Sequence, residues 1–207
     1  MDTFEAVETR RSVKKFDPDH EMSAEEIDRL MRATILSPTS YNIQNWRFVL
    51  VTDREQKDAV RKVGWNQAQF SDCSLLVVVC GDLEAYARDP ERYWRNAPEA
   101  ARAAIVPMIA GCYEGDERAR RDEALRSGGM AAQTLMLAAQ AMGYDTCPMT
   151  GFDFAEVAGI IGLPPDHEIV MAVAVGRGVE PARERSGRIP YSEAVVRERF
   201  PSPGSED

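Results

Sequence analysis

The sequence contains few of the side chains that usually carry metal-dependent or nucleophilic catalysis. It has two histidines and four cysteines in 207 residues, and none of them shows the spacing of a zinc site. The nucleophile-elbow, P-loop and catalytic-triad patterns are also absent, and the GRGVEP segment that begins at Gly176 departs from the dinucleotide-binding pattern at Glu180-Pro181. If the chain is an enzyme, we therefore expect a bound cofactor to carry its chemistry.

Net positive charge and long apolar runs are lacking as well. The formal net charge is −9, which argues against nucleic acid or an anionic membrane surface as a partner. No apolar run reaches the ~18 residues of a membrane span, and the N-terminus lacks a signal-peptide pattern. We expect a cytoplasmic protein with reduced thiols, and we expect His20 and His167 to be solvated residues of polar loops.

Periodicity predicts a layered fold of helices and strands in a single domain, residues 1–207. A capping box at Ser23–Glu26 begins a helix that ends near Leu36, before Pro38. Apolar, β-branched runs predict strands at 46–52, 75–81 and 168–176. Further helices are predicted at 3–9 (with Phe4 and Val7 facing inward), 53–63, 98–109 and 116–143.

The stretch from residue 128 to 143 is rich in small and apolar residues around most of its circumference, which indicates a buried helix. It is consistent with a helix–helix interface between subunits and equally with a central helix inside one monomer. The tail, about 177–207, is polar and predicted to extend over the surface or over a partner subunit.

The basic residues form two groups, one near each end of the chain. In each group, arginine supplies the planar donor fork that fits phosphate. The first group contains Arg10, Arg11, Lys14 and Lys15 around Ser12, and the second contains Arg177, Arg183, Arg185 and Arg188. The groups could converge on one anion, or they could be solvated charges paired with acids such as Glu180 and Glu184.

The segment SPTSYNIQNWRFVLV, residues 37–51, crowds amides and hydroxyls directly before a predicted strand. Such side chains can build a turn through local hydrogen bonds, or they can present donors and acceptors to a ligand. The segment alone does not decide between the two.

Four segments in order resemble the nitroreductase family of FMN-dependent oxidoreductases. They are TRRSVKKF, SPTSYNIQNWRFVLV, AAQTLMLAAQAMGYDTCPMTGFD and the arginine-containing tail. The resemblance implies an α+β fold with a mixed, mainly antiparallel sheet flanked by helices. It also implies an intertwined homodimer with two FMN molecules at the subunit interface.

The resemblance assigns roles to particular residues. Those that match the positions holding the FMN phosphate and ribityl chain are Arg10, Ser12 and Arg188, with Arg11 and Arg185 as further basic candidates. Those that match the pyrimidine edge of the flavin are Lys14, Asn66 and Gln69. The loop lent by the other subunit corresponds to Pro38, Thr39, Ser40 and Asn42, and the segment along the flavin ring to Pro148, Met149, Thr150 and Gly151.

Three residues depart from the family pattern. Asn45 stands where the family often has Pro, Thr150 where many members have Glu, and Gln69 where some have Lys. The last change removes a positive charge near N1 and O2 of the flavin.

The resemblance further implies a ping-pong reaction in which NADH or NADPH reduces the flavin and an electron-poor small molecule then reoxidises it. No catalytic side chain is required, because flavin N5 carries the hydride; Lys14 would stabilise the negative charge of the reduced ring. Nitroaromatics and quinones are the expected acceptors. Reductive dehalogenation or flavin fragmentation, with residues 86–97 as a substrate lid, and a non-catalytic flavin-binding dimer are the alternatives. The aromatic residues of 86–97 could equally pack that segment down.

Overall fold

Four strands form one antiparallel sheet in the computed structural model, which describes residues 1–200. The strands are β1 (Trp46–Val51), β2 (Leu75–Asp82), β3 (Asp145–Met149) and β4 (His167–Gly176), in the order β1-β2-β4-β3. All three strand pairs are antiparallel. An isolated parallel bridge joins Ser12 to Thr146 of β3. The α+β class and the mainly antiparallel sheet are therefore confirmed.

Helices flank this sheet. They are α1 (Thr3–Thr9), α2 (Ala24–Thr34), α3 (Arg54–Val63), α4 (Gln69–Asp72), α5 (Glu99–Tyr113), α6 (Glu117–Ala141), α7 (Phe154–Ile161) and α8 (Tyr191–Ala194), with short 3-10 helices at Ser40–Asn42 and Pro90–Trp94. The predicted capping box is present: the Ser23 hydroxyl accepts from the Glu26 N–H at 3.2 Å, and the Ser23 N–H donates to the Glu26 carboxylate at 2.9 Å.

Strand β2 lies at the centre of the core, and all eight of its residues are buried. Alternate side chains point to opposite faces, so Leu76 packs on the side of Phe70, whereas Leu75 packs on the side of Leu135 from α6. Helix α6 is buried along this face, as its small residues predict. Gly81 permits a close approach of β2 to α6, because a Cβ there would lie 2.5 Å from the Cβ of Ala124.

The structure corrects the predicted inward face of α1. Phe4 and Val7 are 80% and 46% exposed, and Ala6 is the buried residue instead. The apolar pattern of this short helix predicts that Phe4 and Val7 form its inner side. In the described chain this pattern marks a free surface.

The expectation for the histidines is corrected in part: His167 lies in a strand, whereas His20 does lie in a loop but is only partly exposed. His167 is the first residue of β4, and its Nδ1 lies 2.7 Å from the Asp166 carboxylate. That hydrogen bond is the main cause that lowers the pKa of Asp166. His20 stacks on Tyr144, with its Nε2 3.4 Å from the tyrosine hydroxyl.

The four cysteines are unpaired thiols, and burial raises the pKa of Cys73 and of Cys80 to about 12. No helix of residues 1–200 is long and apolar enough to cross a membrane. The tail has no regular structure between 181 and 190 and then forms α8. Part of the predicted extended tail, residues 201–207, lies outside the described residues.

Candidate active site

The tail brings the two basic groups together. The Arg185 guanidinium donates to the carbonyl oxygens of Val7 at 3.2 Å, Glu8 at 3.1 Å and Arg10 at 3.3 Å, where α1 ends. A cation is favourable there, because the carbonyl end of a helix carries partial negative charge. The result is a cluster that we call the cationic corner, formed by Arg10, Arg11, Arg185 and Arg188.

The cationic corner is electrostatically unfavourable without an anion. Partial burial and then the charges of Arg11, Arg188 and Arg10 lower the pKa of Arg185. Every charge in that set of causes is positive. Like charges are assembled here against their mutual repulsion, as expected for a site that binds phosphate.

The side chains of Arg10 and Arg11 differ in their hydrogen bonds. The Arg11 Nη1 is occupied by the carbonyl oxygens of Glu8, Thr9 and Arg10 at 2.6 to 3.1 Å. Arg10 Nη1 is buried and has no hydrogen-bond partner within residues 1–200. A buried charged donor without a partner is costly, so Arg10 is the member of the corner best suited to a bound anion.

The segment after the corner attaches to the edge of the sheet. The Val13 N–H donates to the Thr146 carbonyl oxygen at 3.0 Å, and Lys14 Nζ donates to Cys147 Sγ at 3.3 Å. Ser12 and Lys14 are thereby held beside β3, whose last residues begin the predicted ring segment 148–151. Thr146 also has a buried hydroxyl that lacks a partner among the described residues.

The other predicted basic residue of this region, Lys15, is not part of the corner. Its Nζ lies 2.5 Å from the Glu180 carboxylate. For this residue the alternative of a surface charge pair is therefore correct.

The segment around Asn66, which was predicted to face the pyrimidine edge of the flavin, lies next to Gly151. Trp65 and Asn66 both adopt positive φ, +54° and +57°, which non-glycine residues rarely do. Gln67 Nε2 donates to the Gly151 carbonyl oxygen at 2.7 Å. A Cβ on Gly151 would lie 2.9 Å from the Trp65 ring, so the backbone at Gly151 and the indole approach each other closely.

Trp65 and Gln67 were missed from the sequence. Trp65 is 72% exposed beside Gly151, so its indole presents a free aromatic face at the predicted flavin site. In the sequence, only the adjacency of a tryptophan and an asparagine marks this position. Gln69, by contrast, is largely buried within α4.

The loop before β1 combines strained backbone with internal hydrogen bonds. Tyr41, Asn42 and Gln44 have φ of +49°, +55° and +44°. Thr39 Oγ1 accepts from the Gln44 N–H at 2.9 Å, and Asn42 Nδ2 donates to the Tyr93 carbonyl oxygen at 2.8 Å. Some of the amides and hydroxyls therefore build the turn. Strained backbone of this kind concentrates at ligand sites.

This loop and the cationic corner lie near opposite ends of α6 in one chain. The Ser40 N–H donates to Glu123 at 3.1 Å, whereas Gln140 donates to Thr9 at 3.4 Å. The two contact points on α6 are 17 residues apart, or about 25 Å along a helix. Within one chain, the structure does not bring residues 38–42 to the corner.

The aromatic residues of 86–97 pack this segment onto the body of the protein. Tyr86 and Tyr93 are buried with Tyr113 in a small core, and the Tyr93 hydroxyl donates to the Ala85 carbonyl oxygen at 3.0 Å. The Trp94 indole N–H donates to the Tyr41 carbonyl oxygen at 2.9 Å. Of the two interpretations of this segment, the structure favours packing over a free lid.

Comparisons with a family model, with individual proteins and with solved structures all identify the same family. The family model described as "Nitroreductase family" matches residues 7–177. Protein DrgA of Synechocystis is 51% identical over 94% of this chain and 95% of its own length. An oxygen-insensitive NADPH nitroreductase of Helicobacter pylori is 28% identical over 86% and 88%. A crystal structure from Exiguobacterium sibiricum that contains FMN is 31% identical, with a TM-score of 0.87 over 95% of this chain and 97% of that one. The chain belongs to the nitroreductase family.

Proposed function

We propose that the protein is an FMN-dependent oxidoreductase that uses NADPH or NADH to reduce nitroaromatics, quinones or related electron-poor small molecules by ping-pong hydride transfer. The observation that supports it most is the cationic corner, where Arg10 has a buried donor with no partner among residues 1–200. The relative from E. sibiricum contains FMN, and the relative from H. pylori is named an NADPH nitroreductase.

The residues present fit a flavin mononucleotide. Arg10, Arg185 and Arg188 would hold its phosphate, because they supply positive charge and none of them has a carboxylate partner within residues 1–200. Ser12 lies two residues after Arg10 and would serve the phosphate or the ribityl chain. When bound, FMN supplies an isoalloxazine ring that accepts a hydride and passes it on.

The protein's part in the chemistry is binding, orientation and electrostatics. Lys14 is held beside β3 by its contact with Cys147 and would stabilise negative charge at the pyrimidine edge. A unit charge ~4 Å away interacts by a few kcal/mol at an effective dielectric constant of ~20. Trp65 and Gly151 would flank the ring, and the bond from Gln67 fixes the Gly151 carbonyl oxygen.

We also propose that the active form is a homodimer. The loop of residues 38–42 lies about 25 Å along α6 from the cationic corner of its own chain, so it would serve a flavin held mainly by the partner subunit. Two apolar side chains of α1, Phe4 and Val7, are exposed in the single chain and are suited to an interface. The single domain and the cytoplasmic location stay predictions from the sequence.

The proposal is tested by the absorbance spectrum and turnover of the purified protein. We expect a yellow protein with about one FMN per chain that oxidises NADPH or NADH only when a quinone or nitroaromatic is added. A colourless protein that also fails to bind added FMN would refute the proposal. A yellow protein without NAD(P)H turnover would instead indicate a non-catalytic flavin-binding dimer.

Reductive dehalogenation has less support. It would need residues 86–97 to close over the substrate as a lid, whereas Tyr86 and Tyr93 pack this segment into a small core.

A further inference from the structure

A second cationic site lies in a pocket away from the cationic corner. The pocket has a volume of about 460 Å³ and lies between the loop before β1 and the 3-10 helix Pro90–Trp94. We call it the arginine pocket. The lining residues used below are Asn42, Gln44, Arg47, Arg92, Arg95 and Asn96.

The charge of the arginine pocket is only partly balanced. Arg47 is paired with the buried Asp82 carboxylate at 2.8 Å. Arg92 donates to the Tyr93 hydroxyl at 2.6 Å and lies over its ring, but it has no carboxylate partner within residues 1–200. Arg95 makes neither a side-chain hydrogen bond nor an ion pair with any described residue. No acidic residue lines the pocket, so two guanidinium groups are available to an anion.

The wall of the pocket contains a further unsatisfied donor. Trp46 is 9% exposed, and its indole N–H is buried without an acceptor in the described part of the chain. An indole nitrogen can only donate, and buried donors normally have partners. Together with the amides of Gln44 and Asn96 and the guanidinium of Arg92, the pocket offers donors from a loop, a strand and a 3-10 helix.

The position of the pocket suggests the ligand. Asn42 belongs both to the pocket and to the loop that, in the proposed dimer, faces the partner's flavin. If the nicotinamide ring lies over that flavin, the pyrophosphate and adenosine of the nucleotide must lie over neighbouring surfaces of the protein. NADPH differs from NADH by one phosphate monoester, which carries ≈ −1.5 to −2 charges and three acceptor oxygens at neutral pH.

We propose that the arginine pocket binds the 2′-phosphate of NADPH and makes the enzyme prefer NADPH over NADH, an inference that rests on the proposed function. Three oxygens on one phosphorus suit donors that converge from separate elements. The pyrophosphate is common to both nucleotides and would give no preference between them.

The kinetic test removes one charge from the pocket. Arg95→Gln keeps a long polar side chain and removes the guanidinium that has no other partner. We expect the ratio of kcat/KM for NADPH to that for NADH, measured with one quinone, to fall about tenfold, as for the loss of one charge-assisted hydrogen bond. Arg118→Gln is the matched control, because Arg118 lies on α6 outside the pocket and its side chain is 91% exposed. An unchanged ratio in Arg95→Gln would overturn the inference.

A binding test separates this inference from the proposed function. Calorimetry on the FMN-loaded protein compares adenosine 2′,5′-bisphosphate with adenosine 5′-monophosphate, which lacks only the 2′-phosphate. We expect the bisphosphate to bind about tenfold more tightly at low salt, and Arg95→Gln to remove that difference. Equal affinities in the wild type would refute the phosphate site even in an active enzyme. Selective binding in a protein without turnover would support the phosphate site and refute the proposed function.

Discussion

Replacement of Arg10 by methionine should separate a phosphate ligand from a structural arginine. The change removes the guanidinium, whose buried Nη1 has no partner in residues 1–200, and keeps an unbranched side chain that replaces the aliphatic part of arginine. It leaves the backbone carbonyl oxygen of Arg10 in place, so the bond from Arg185 at 3.3 Å can persist. The substitution therefore acts mainly on charge and donors.

The substitution should weaken FMN binding without lowering the stability of the apoprotein. A hydrogen bond to a charged group contributes about 1.5–3 kcal/mol, so the FMN dissociation constant should rise roughly 10- to 100-fold. The apoprotein loses an unpaired buried donor and a source of repulsion for Arg185. We therefore expect its free energy of unfolding to stay the same or to increase by up to about 1 kcal/mol.

Fluorescence titration of FMN and urea unfolding of the apoprotein measure the two effects. Arg10→Lys is the informative second variant, because it keeps the charge without the planar fork and should bind with intermediate affinity. Arg118→Met, on the exposed surface of α6, should change neither quantity. Destabilised apoprotein with unchanged FMN affinity in Arg10→Met would mean that Arg10 is a structural residue.

Three further predictions concern the core, the fold's acid sensitivity and the flavin. Gly81→Ala should lower the free energy of unfolding, measured in urea, by about 1–3 kcal/mol, because the new Cβ would lie 2.5 Å from the Cβ of Ala124. Adding Ala124→Gly should recover part of that loss. If the losses of the two substitutions simply add, the contact is contradicted. Hydrogen bonds from the Ser23 N–H and the Tyr144 hydroxyl lower the pKa of Glu26 below 4.5, so its stabilising contribution is present above pH 4.5 and is lost as pH falls through the folded-state pKa. Glu26→Gln should therefore have a lower urea midpoint than the wild type at neutral pH, and the difference should shrink as the pH falls below that pKa. A pH-independent difference would exclude this carboxylate. Lys14→Ala should lower the flavin midpoint potential and slow reduction by NADPH, and an unchanged potential would remove Lys14 from this role.

Local signals made most elements predictable from the sequence. Ser23 and Asp53 cap their helices as predicted, because capping needs only side chains and N–H groups three residues apart. Strand β2 was recognised from its unbroken apolar run. Strand β3 was not predicted, since it has only five residues and contains Pro148; the structure places it at the edge of the sheet, where proline is tolerated.

Helix α7 was overlooked although its ends carry clear signals. Asp153 accepts from two N–H groups of the first turn, and Gly162 follows the last turn with φ of +64°. The orientation of α1 was predicted wrongly for a physical reason: seven residues with two large apolar side chains do not specify which side faces the core.

The candidate site was only partly predictable, because it depends on contacts between distant parts of the chain. Composition indicated two basic groups, and the bond from Arg185 to the end of α1 shows that they meet. The positive φ of Trp65 and the contact of Gln67 with Gly151 leave no signal in a single sequence. The partnerless Nη1 of Arg10 likewise appears only once the fold is formed.

A crystal structure of the protein with FMN tests the central claim most directly. We predict a phosphate bonded to Arg10 at the cationic corner, and a flavin ring enclosed by residues 148–151 of one protomer and the loop of residues 38–42 of its partner. A phosphate bound far from Arg10, or a ring enclosed by a single protomer, would contradict the claim.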